Sequence, residues 1–90
     1  MPYKIKVSGD AERDVRHLPG HLRQRARRLI SALTGEPKPP GTKELRGYSG
    51  YFRIRIDGWR VIYRIYEPEQ IILVLRIRKK IGPATYSDLG

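Results

Sequence analysis

Hydrophobic and polar positions recur along this chain with a period that changes from segment to segment, and each period predicts an element. Tyr3, Ile5 and Val7 alternate with Lys4 and Lys6, the period-two pattern of a short, half-buried strand. Ser8 or Asp10 can cap a following helix by accepting a bond from its free backbone N–H groups. Ala11, Val15 and Leu18 then fall at helical spacing, and Pro19-Gly20 ends that helix. From about His21 to Leu33 the period is helical again. Leu22, Ala26, Leu29, Ile30 and Leu33 make one stripe, and Arg23, Gln24, Arg25, Arg27 and Arg28 fill the rest of the surface. Gly35 suits the left-handed position just past a helix end.

GEPKPPGT, from Gly35 to Thr42, is a proline-rich connection too short to separate domains. Lys43-Glu44-Leu45-Arg46 predicts a brief strand, and Gly47 to Gly50 a turn. Two alternating runs follow, Tyr51–Ile56 and Trp59–Tyr66, joined at Asp57-Gly58. Asp-Gly favours a two-residue type I′ hairpin, in which both central residues take positive φ. That loop fixes a register. Ile56 faces Trp59, Arg55 faces Arg60, Ile54 faces Val61, Arg53 faces Ile62, Phe52 faces Tyr63 and Tyr51 faces Arg64. Phe52, Ile54, Ile56, Trp59, Val61 and Tyr63 then share a core face. Tyr51, Arg53, Arg55, Arg60, Ile62 and Arg64 share the other. Glu67-Pro68-Glu69 makes a second turn. Ile71 to Ile77 is an almost continuous apolar run, as expected of a strand covered on both faces. The remainder, RKKIGPATYSDLG, reads as irregular and basic, with one helical turn after Tyr86. The fold class is α+β: an N-terminal strand and a helical hairpin packed on an antiparallel β-meander.

Ninety residues make a single domain over 1–90, since two cores would each be too small. Charge changes the picture more. Nineteen Lys and Arg against nine Asp and Glu give a net charge of +10. A field of that sign favours polyanions, above all nucleic acid. An anionic membrane is the other candidate for such a field; no run approaches the ~18 apolar residues of a span, so nothing crosses a bilayer, and no membrane partner is expected. The start MPYKIKVSGD has no signal-peptide pattern, and the expected location is the cytoplasm. The absence of cysteine excludes disulfides, thiolate zinc sites and Cys nucleophiles.

Like charges directly opposite one another on a sheet destabilise it by tenths to about 1 kcal/mol. The opposed Arg55 and Arg60 therefore need a reason. A merely solvated face mixes signs, whereas the only acid between Tyr51 and Arg64 is Asp57, at the turn. An anion site relieves the repulsion, and guanidinium groups grip phosphate oxygens in pairs. Arg76, Arg78, Lys79 and Lys80 form a second basic cluster, and Tyr86 follows. The sequence leaves open which of Arg76 and Arg78 points toward the hairpin arginines. Tyr51 and Tyr66 are the aromatics available for base stacking on that face.

Familiar catalytic constellations are missing. There is no glycine-rich phosphate loop and no metal-ligand spacing, so neither metal nor cofactor is expected. His17 and His21 are separated by the helix-breaking Pro19-Gly20. Asp10, Glu12 and Asp14 suit a helix N-terminus better than a catalytic pair. What remains is an Arg/Lys/Tyr site. It fits cleavage of RNA by its own 2′-hydroxyl, with convergent cations on the transition state and a cation-activated tyrosine as base.

The hairpin YFRIRIDGWRVIYRI and the later ILVLRIRKKIGPATY resemble the RelE/ParE toxin superfamily, in its RelE branch. The likeness runs from the opening strand through KELRG to the late tyrosine. It implies a RelE-like microbial RNase-type fold and the toxin of a type II toxin–antitoxin pair. It also implies a ribosome-dependent endoribonuclease that cuts mRNA in the A site and so inhibits translation. The partners implied are the ribosome, mRNA and a cognate acidic antitoxin in a hetero-oligomer. By position, Arg53 and Arg55 match two basic residues of the first hairpin strand, lysines in familiar members. Arg60 matches the arginine after the turn. Lys80 falls where an arginine is usual, a role open also to Arg78 or Lys79. Tyr86 matches the tyrosine that activates the 2′-hydroxyl. Arg64, Arg76, Arg78, Lys79 and Tyr51 are expected to contact the RNA. Arginine at 53 and 55 keeps charge but cannot transfer protons, which favours electrostatic stabilisation there. A C-terminal helix that many relatives carry has room here for about one turn. Two other functions are open to this sequence: a ParE-like, non-enzymatic gyrase inhibitor, or a plain RNA-binding module.

Overall fold

A computed structural model of the protein describes residues 2–79. Lys80, Tyr86 and the helical turn expected after Tyr86 lie outside the described residues. Strand β1 (Lys4–Val7) leads into helix α1 (Gly9–Arg16) and helix α2 (Gly20–Ala32). Four strands follow: β2 (Lys43–Glu44), β3 (Tyr51–Ile56), β4 (Trp59–Tyr66) and β5 (Ile71–Lys79). They form one five-stranded sheet in the order β1-β5-β4-β3-β2. Strands β2 to β5 are antiparallel neighbours, while β1 joins β5 in parallel, with Lys4 opposite Ile71 and Val7 opposite Val74.

Both helices lie on one face of the sheet. The alternation of β3 and β4 sends Phe52, Ile54, Ile56, Val61, Tyr63 and Ile65 to that face. There they meet Ala11, Val15, Leu22, Ala26, Ile30 and Leu33 in one apolar core. Full burial of each large aliphatic or aromatic side chain contributes about 1.5–3 kcal/mol. Ser8 caps α1, its Oγ accepting from the Ala11 N–H at 3.0 Å. Pro19 starts α2, whose stripe of Leu22, Ala26 and Ile30 is buried while Arg23, Arg25, Arg27 and Arg28 are exposed. Arg25 reaches over the hairpin turn to Asp57 at 3.0 Å, so this helix arginine is a tether and not only a solvated charge.

The hairpin register is the one the two-residue loop dictates, from Ile56 opposite Trp59 to Tyr51 opposite Arg64. Its turn differs from the type I′ expectation. Asp57 takes φ 53 but Gly58 stays out of the positive region. Asp tolerates the left-handed region because its side chain bonds locally, so the aspartate meets the turn's requirement. Gly35 also stays out of the left-handed region; α2 unwinds through Leu33–Gly35 with bonds back to Ala32. Among the described glycines, positive φ values fall at Gly41, Gly47 and Gly50.

Strand β5 departs from expectation too. It lies between β1 and β4, but one face is only half covered: Ile71, Leu73 and Leu75 alternate as half-buried residues with buried Ile72 and Val74. A register shift makes Leu75 an extra residue, because Ile62 pairs with Arg76 and Tyr63 with Val74. Beyond Val74 no strand among the described residues lies beside the outer edge of β5, and α1 takes over. Ser8 Oγ donates to the Leu75 carbonyl at 2.9 Å, and Asp14 Oδ2 accepts the Ile77 N–H at 2.8 Å. Backbone groups that an absent strand leaves open are thus satisfied by side chains.

Tyr63 pins the proline-rich connection to the sheet. It is fully buried, and its hydroxyl donates to the Pro37 carbonyl at 2.7 Å. Burial raises its pKa above the ordinary tyrosine value, against a smaller lowering by the Thr42 hydroxyl. Because the folded value is the higher one, the unfolded chain loses its proton first as pH rises past about 10. The tyrosine's contribution is therefore complete below that pH and declines above it. Tyr63→Phe is expected to cost about 1 kcal/mol near neutrality. It should also flatten the fall in stability above pH 10, read from urea midpoints across pH.

Candidate functional site

The sheet's other face carries the cations. Register sets Arg55 of β3, Arg60 of β4 and Arg78 of β5 in one row across three adjacent strands. Neighbouring strands are about 4.8 Å apart, so the row is compact. The sequence left Arg76 and Arg78 undecided, and the register assigns Arg78 to the row. The next row holds Lys43, Arg53, Ile62 and Arg76, and beyond it come Tyr51, Arg64, Leu73 and Lys6. Lys43, unflagged by the sequence, owes its place to pairing of β2 with Arg53. Its only sequence signal is the alternation of KELR, which does not fix a partner strand.

Exposure divides this patch. Arg55 is exposed, Arg78 half-buried, and Arg53 and Arg60 only 8% and 5% exposed. Ile62 is buried too, with Arg53 across from it and Arg60 and Arg64 on either side along β4. The arginine side chains at 53 and 60 are thus withdrawn from water as a whole, and not at their stems alone. Arg53, Arg60 and Arg78 are all engaged cations, held by interactions in the folded chain. Strand β2 pairs with Phe52 and Arg53, so among the described residues no strand covers the outer edge of β3 from Ile54 onward. A pocket of about 470 Å³ opens there, walled by Leu29 and Pro40 and bordered by Lys43, Arg53 and Arg55. If that border meets RNA phosphates, Lys43→Ala should weaken single-strand binding. The slope of log affinity on log salt should fall by about 0.7, measured by salt titration of a labelled oligonucleotide.

Arg64 is held between two aromatic rings. Its guanidinium lies 5.0 Å from the Tyr51 ring centre and 4.4 Å from that of Tyr66, and it donates to the Tyr51 hydroxyl at 3.2 Å. Cation–π contacts of this kind are each worth roughly 0.5–1 kcal/mol when exposed. Tyr51 and Arg64 therefore share the arginine face, as the register predicted.

Of the residues expected to contact RNA, Arg76 is held at the edge of this face and Lys79 lies off it. Arg76 is drawn to α1, where its Nε donates to Asp14 Oδ2 at 2.9 Å. The extra residue at Leu75 sets Arg76 opposite Ile62, on the arginine face, and from there its guanidinium reaches the open edge of β5 to meet Asp14. Lys79 pairs opposite Trp59, on the helix side of the sheet. Asp14 thus serves the α1–β5 contact, while Asp10 and Glu12 occupy the first turn of α1. His17 and His21 are both exposed, on either side of the helix break. No group of three His, Cys, Asp or Glu side chains able to hold a metal ion occurs among the described residues. No helix among them is long and apolar enough to cross a membrane.

Known proteins share both the sequence pattern and the architecture. The sequence model of the family described as "ParE toxin of type II toxin-antitoxin system, parDE" matches residues 5–80. Toxin RelE3 of Methanocaldococcus jannaschii is 30% identical over 62 residues, covering 64% of this chain and 70% of that protein. The toxin–antitoxin complex RelBE2 of Mycobacterium tuberculosis contains a chain that superposes with a TM-score of 0.76 at 27% identity, over 89% of this chain and all of that one. A variant of Escherichia coli toxin RelE in the free state has the same fold, with a TM-score of 0.79 at 20% identity over 97% of this chain and 93% of that one. The five-stranded sheet with two helices on one face and this family match agree: the chain belongs to the RelE/ParE superfamily of type II toxin–antitoxin toxins, in its RelE-like branch.

Proposed function

We propose that this toxin is a metal-independent endoribonuclease that cleaves mRNA in the ribosomal A site and so stops translation. One observation carries the reading. Arg55, Arg60 and Arg78 lie in a row across three strands, on the face turned away from the helices. A gyrase poison acting by shape alone has no need of such a row. The transition state of RNA self-cleavage does, because negative charge accumulates on the phosphorane oxygens.

In this mechanism the 2′-hydroxyl attacks the adjacent phosphorus and the P–O5′ bond breaks. The products are a 2′,3′-cyclic phosphate and a 5′-hydroxyl. Arginines remain protonated throughout, so Arg53, Arg55 and Arg60 stabilise charge and do not move protons. Arg60, buried in mid-row, is preorganised for that task, and exposed Arg55 meets the phosphate first. Tyr86 takes the 2′-hydroxyl proton. Lys80, or Arg78 in the row itself, stabilises the charge on the leaving 5′-oxygen, and that oxygen takes its proton from water. The roles of Tyr86 and Lys80 rest on sequence likeness alone. Slow chemistry on free RNA is expected, since none of these groups aligns the 2′-oxygen with the leaving oxygen. The ribosome supplies that alignment.

The M. tuberculosis neighbour is a toxin–antitoxin complex. By that likeness the chain, acting as one domain in the cytoplasm, pairs with a cognate antitoxin in a hetero-oligomer. An acidic antitoxin segment laid over the arginine rows would neutralise them. The ParE description of the matching family favours a second reading, inhibition of gyrase without catalysis. Primer extension on translated mRNA decides between them. New ends inside codons after toxin induction are expected; intact messages with accumulating DNA breaks would establish the gyrase reading instead.

A further inference from the structure

The cationic face ends in a patch of different character. Register places Tyr66, Ile71 and Lys4 in one row, and Arg64, Leu73 and Lys6 in the next. Tyr66, Ile71 and Leu73 are half-buried and wall a pocket of about 330 Å³, with Lys6 and Glu69 also lining it. Hydrocarbon is thus left to water on a face otherwise occupied by Lys4, Lys6, Arg64 and the arginine rows.

We propose that this pocket is a base-stacking subsite, which receives one unpaired nucleobase of the RNA strand a few nucleotides from the cut. The proposal rests on the ribonuclease reading of the same face. A ligand suited to it must be flat, apolar on its faces and joined to negative charge. A nucleobase on a phosphodiester chain meets all three conditions, and unpaired RNA bases are bound by aromatic side chains and arginine planes in this way. Arg64 fixes the platform in advance. Its stacking on Tyr51 and Tyr66 and its bond to the Tyr51 hydroxyl hold both rings before any ligand arrives. Little side-chain ordering then remains to be done on binding.

The distance suits one continuous strand. At about 3.3 Å per residue, Tyr66 lies roughly 20 Å along β4 from Arg60, within reach of a few nucleotides of extended RNA. Glu69 offers an acceptor for a base amino group, and Lys6 a donor to a base oxygen or the next phosphate. The subsite therefore has the means to prefer some bases over others. An acidic peptide with apolar side chains is the competing occupant. Continuity with the arginine rows favours RNA.

The test uses the full-length toxin and a single-stranded RNA oligonucleotide made uncleavable by 2′-O-methylation. One nucleotide at a time is replaced by an abasic residue, and affinity is read by fluorescence anisotropy. One position should lose about tenfold, and the others little. Tyr66→Leu should lose a similar factor and become insensitive to that position. Equal indifference to base removal at every position overturns the subsite without any change to the protein. So does a position-dependent penalty that survives in Tyr66→Leu. Loss of antitoxin binding in Tyr66→Leu with RNA affinity unchanged assigns the pocket to a peptide instead. Primer extension on translated mRNA separates the two levels. Cutting without an abasic penalty refutes the subsite alone, and a penalty without cutting refutes the ribonuclease reading alone.

Discussion

Arg60→Ala should lower ribosome-dependent mRNA cleavage by about 10²- to 10³-fold, the usual cost of removing one preorganised donor from a developing oxyanion. Arg60 is the middle residue of its row, with Arg55 on one side and Arg78 on the other, and it is only 5% exposed. Its burial makes it rigid, and its neighbours raise the local potential that a phosphorane meets. Arg60→Lys retains the charge but not the planar pair of donors, so it should recover only part of the activity. The rate of new 5′ ends in a reconstituted translation reaction measures both variants. A thermal melt of each distinguishes a chemical defect from a folding one. A stably folded Arg60→Ala protein that cuts within a few-fold of the parent would place the transition state elsewhere.

Asp14→Ala should give the largest loss of stability among single substitutions at charged positions. The Asp14 carboxylate accepts from Arg76 Nε at 2.9 Å, from a second Arg76 nitrogen at 3.4 Å and from the Ile77 N–H at 2.8 Å. Breaking a fully buried pair costs 3–5 kcal/mol. The Asp14 and Arg76 side chains are 16% and 32% exposed, so solvent recovers part of this. About 2–3 kcal/mol is expected, which lowers the melting temperature by roughly 10 °C or more in a chain of this size. Asp14→Asn keeps an acceptor for the Ile77 N–H and should lose less. A change below about 0.5 kcal/mol in Asp14→Ala, within the range of ordinary surface substitutions, would mean that α1 and β5 are held by apolar packing alone.

The hairpin was legible because its information is local. Alternation gives each strand two faces, and a two-residue loop leaves one register. Both survive even though Asp57, and not Gly58, takes the positive φ. Elements whose placement depends on distant residues were not legible. That Arg76 sits opposite Ile62 depends on an extra residue at Leu75, and the direction of its guanidinium depends on a carboxylate in α1. Lys43 becomes a neighbour of Arg53 only through a two-residue strand with no hydrophobic signature. The burial of Arg53 and Arg60 is equally non-local. Arginine on the polar side of an alternating strand reads as exposed, and only the assembled sheet withdraws those side chains from water. IILVLRI suggested cover on both faces. Its half-exposed set, Ile71 and Leu73, instead lines a pocket.

Strand order also has a consequence for synthesis. Strand β5, late in the chain, sits inside the sheet between β1 and β4, and the contact that joins it to the start of the chain spans 67 residues, from Ser8 to Leu75. While the chain emerges, the helices and the β3–β4 hairpin can form, but β1 has no neighbour and the arginine row lacks its third member. Pairings across such separations form late because their loop-closure cost precedes their gain. The row that is proposed to cut a message on the ribosome is therefore assembled only after most of this chain has left the ribosome that made it. Such timing gives a newly translated antitoxin an interval in which to meet a toxin that is still incomplete.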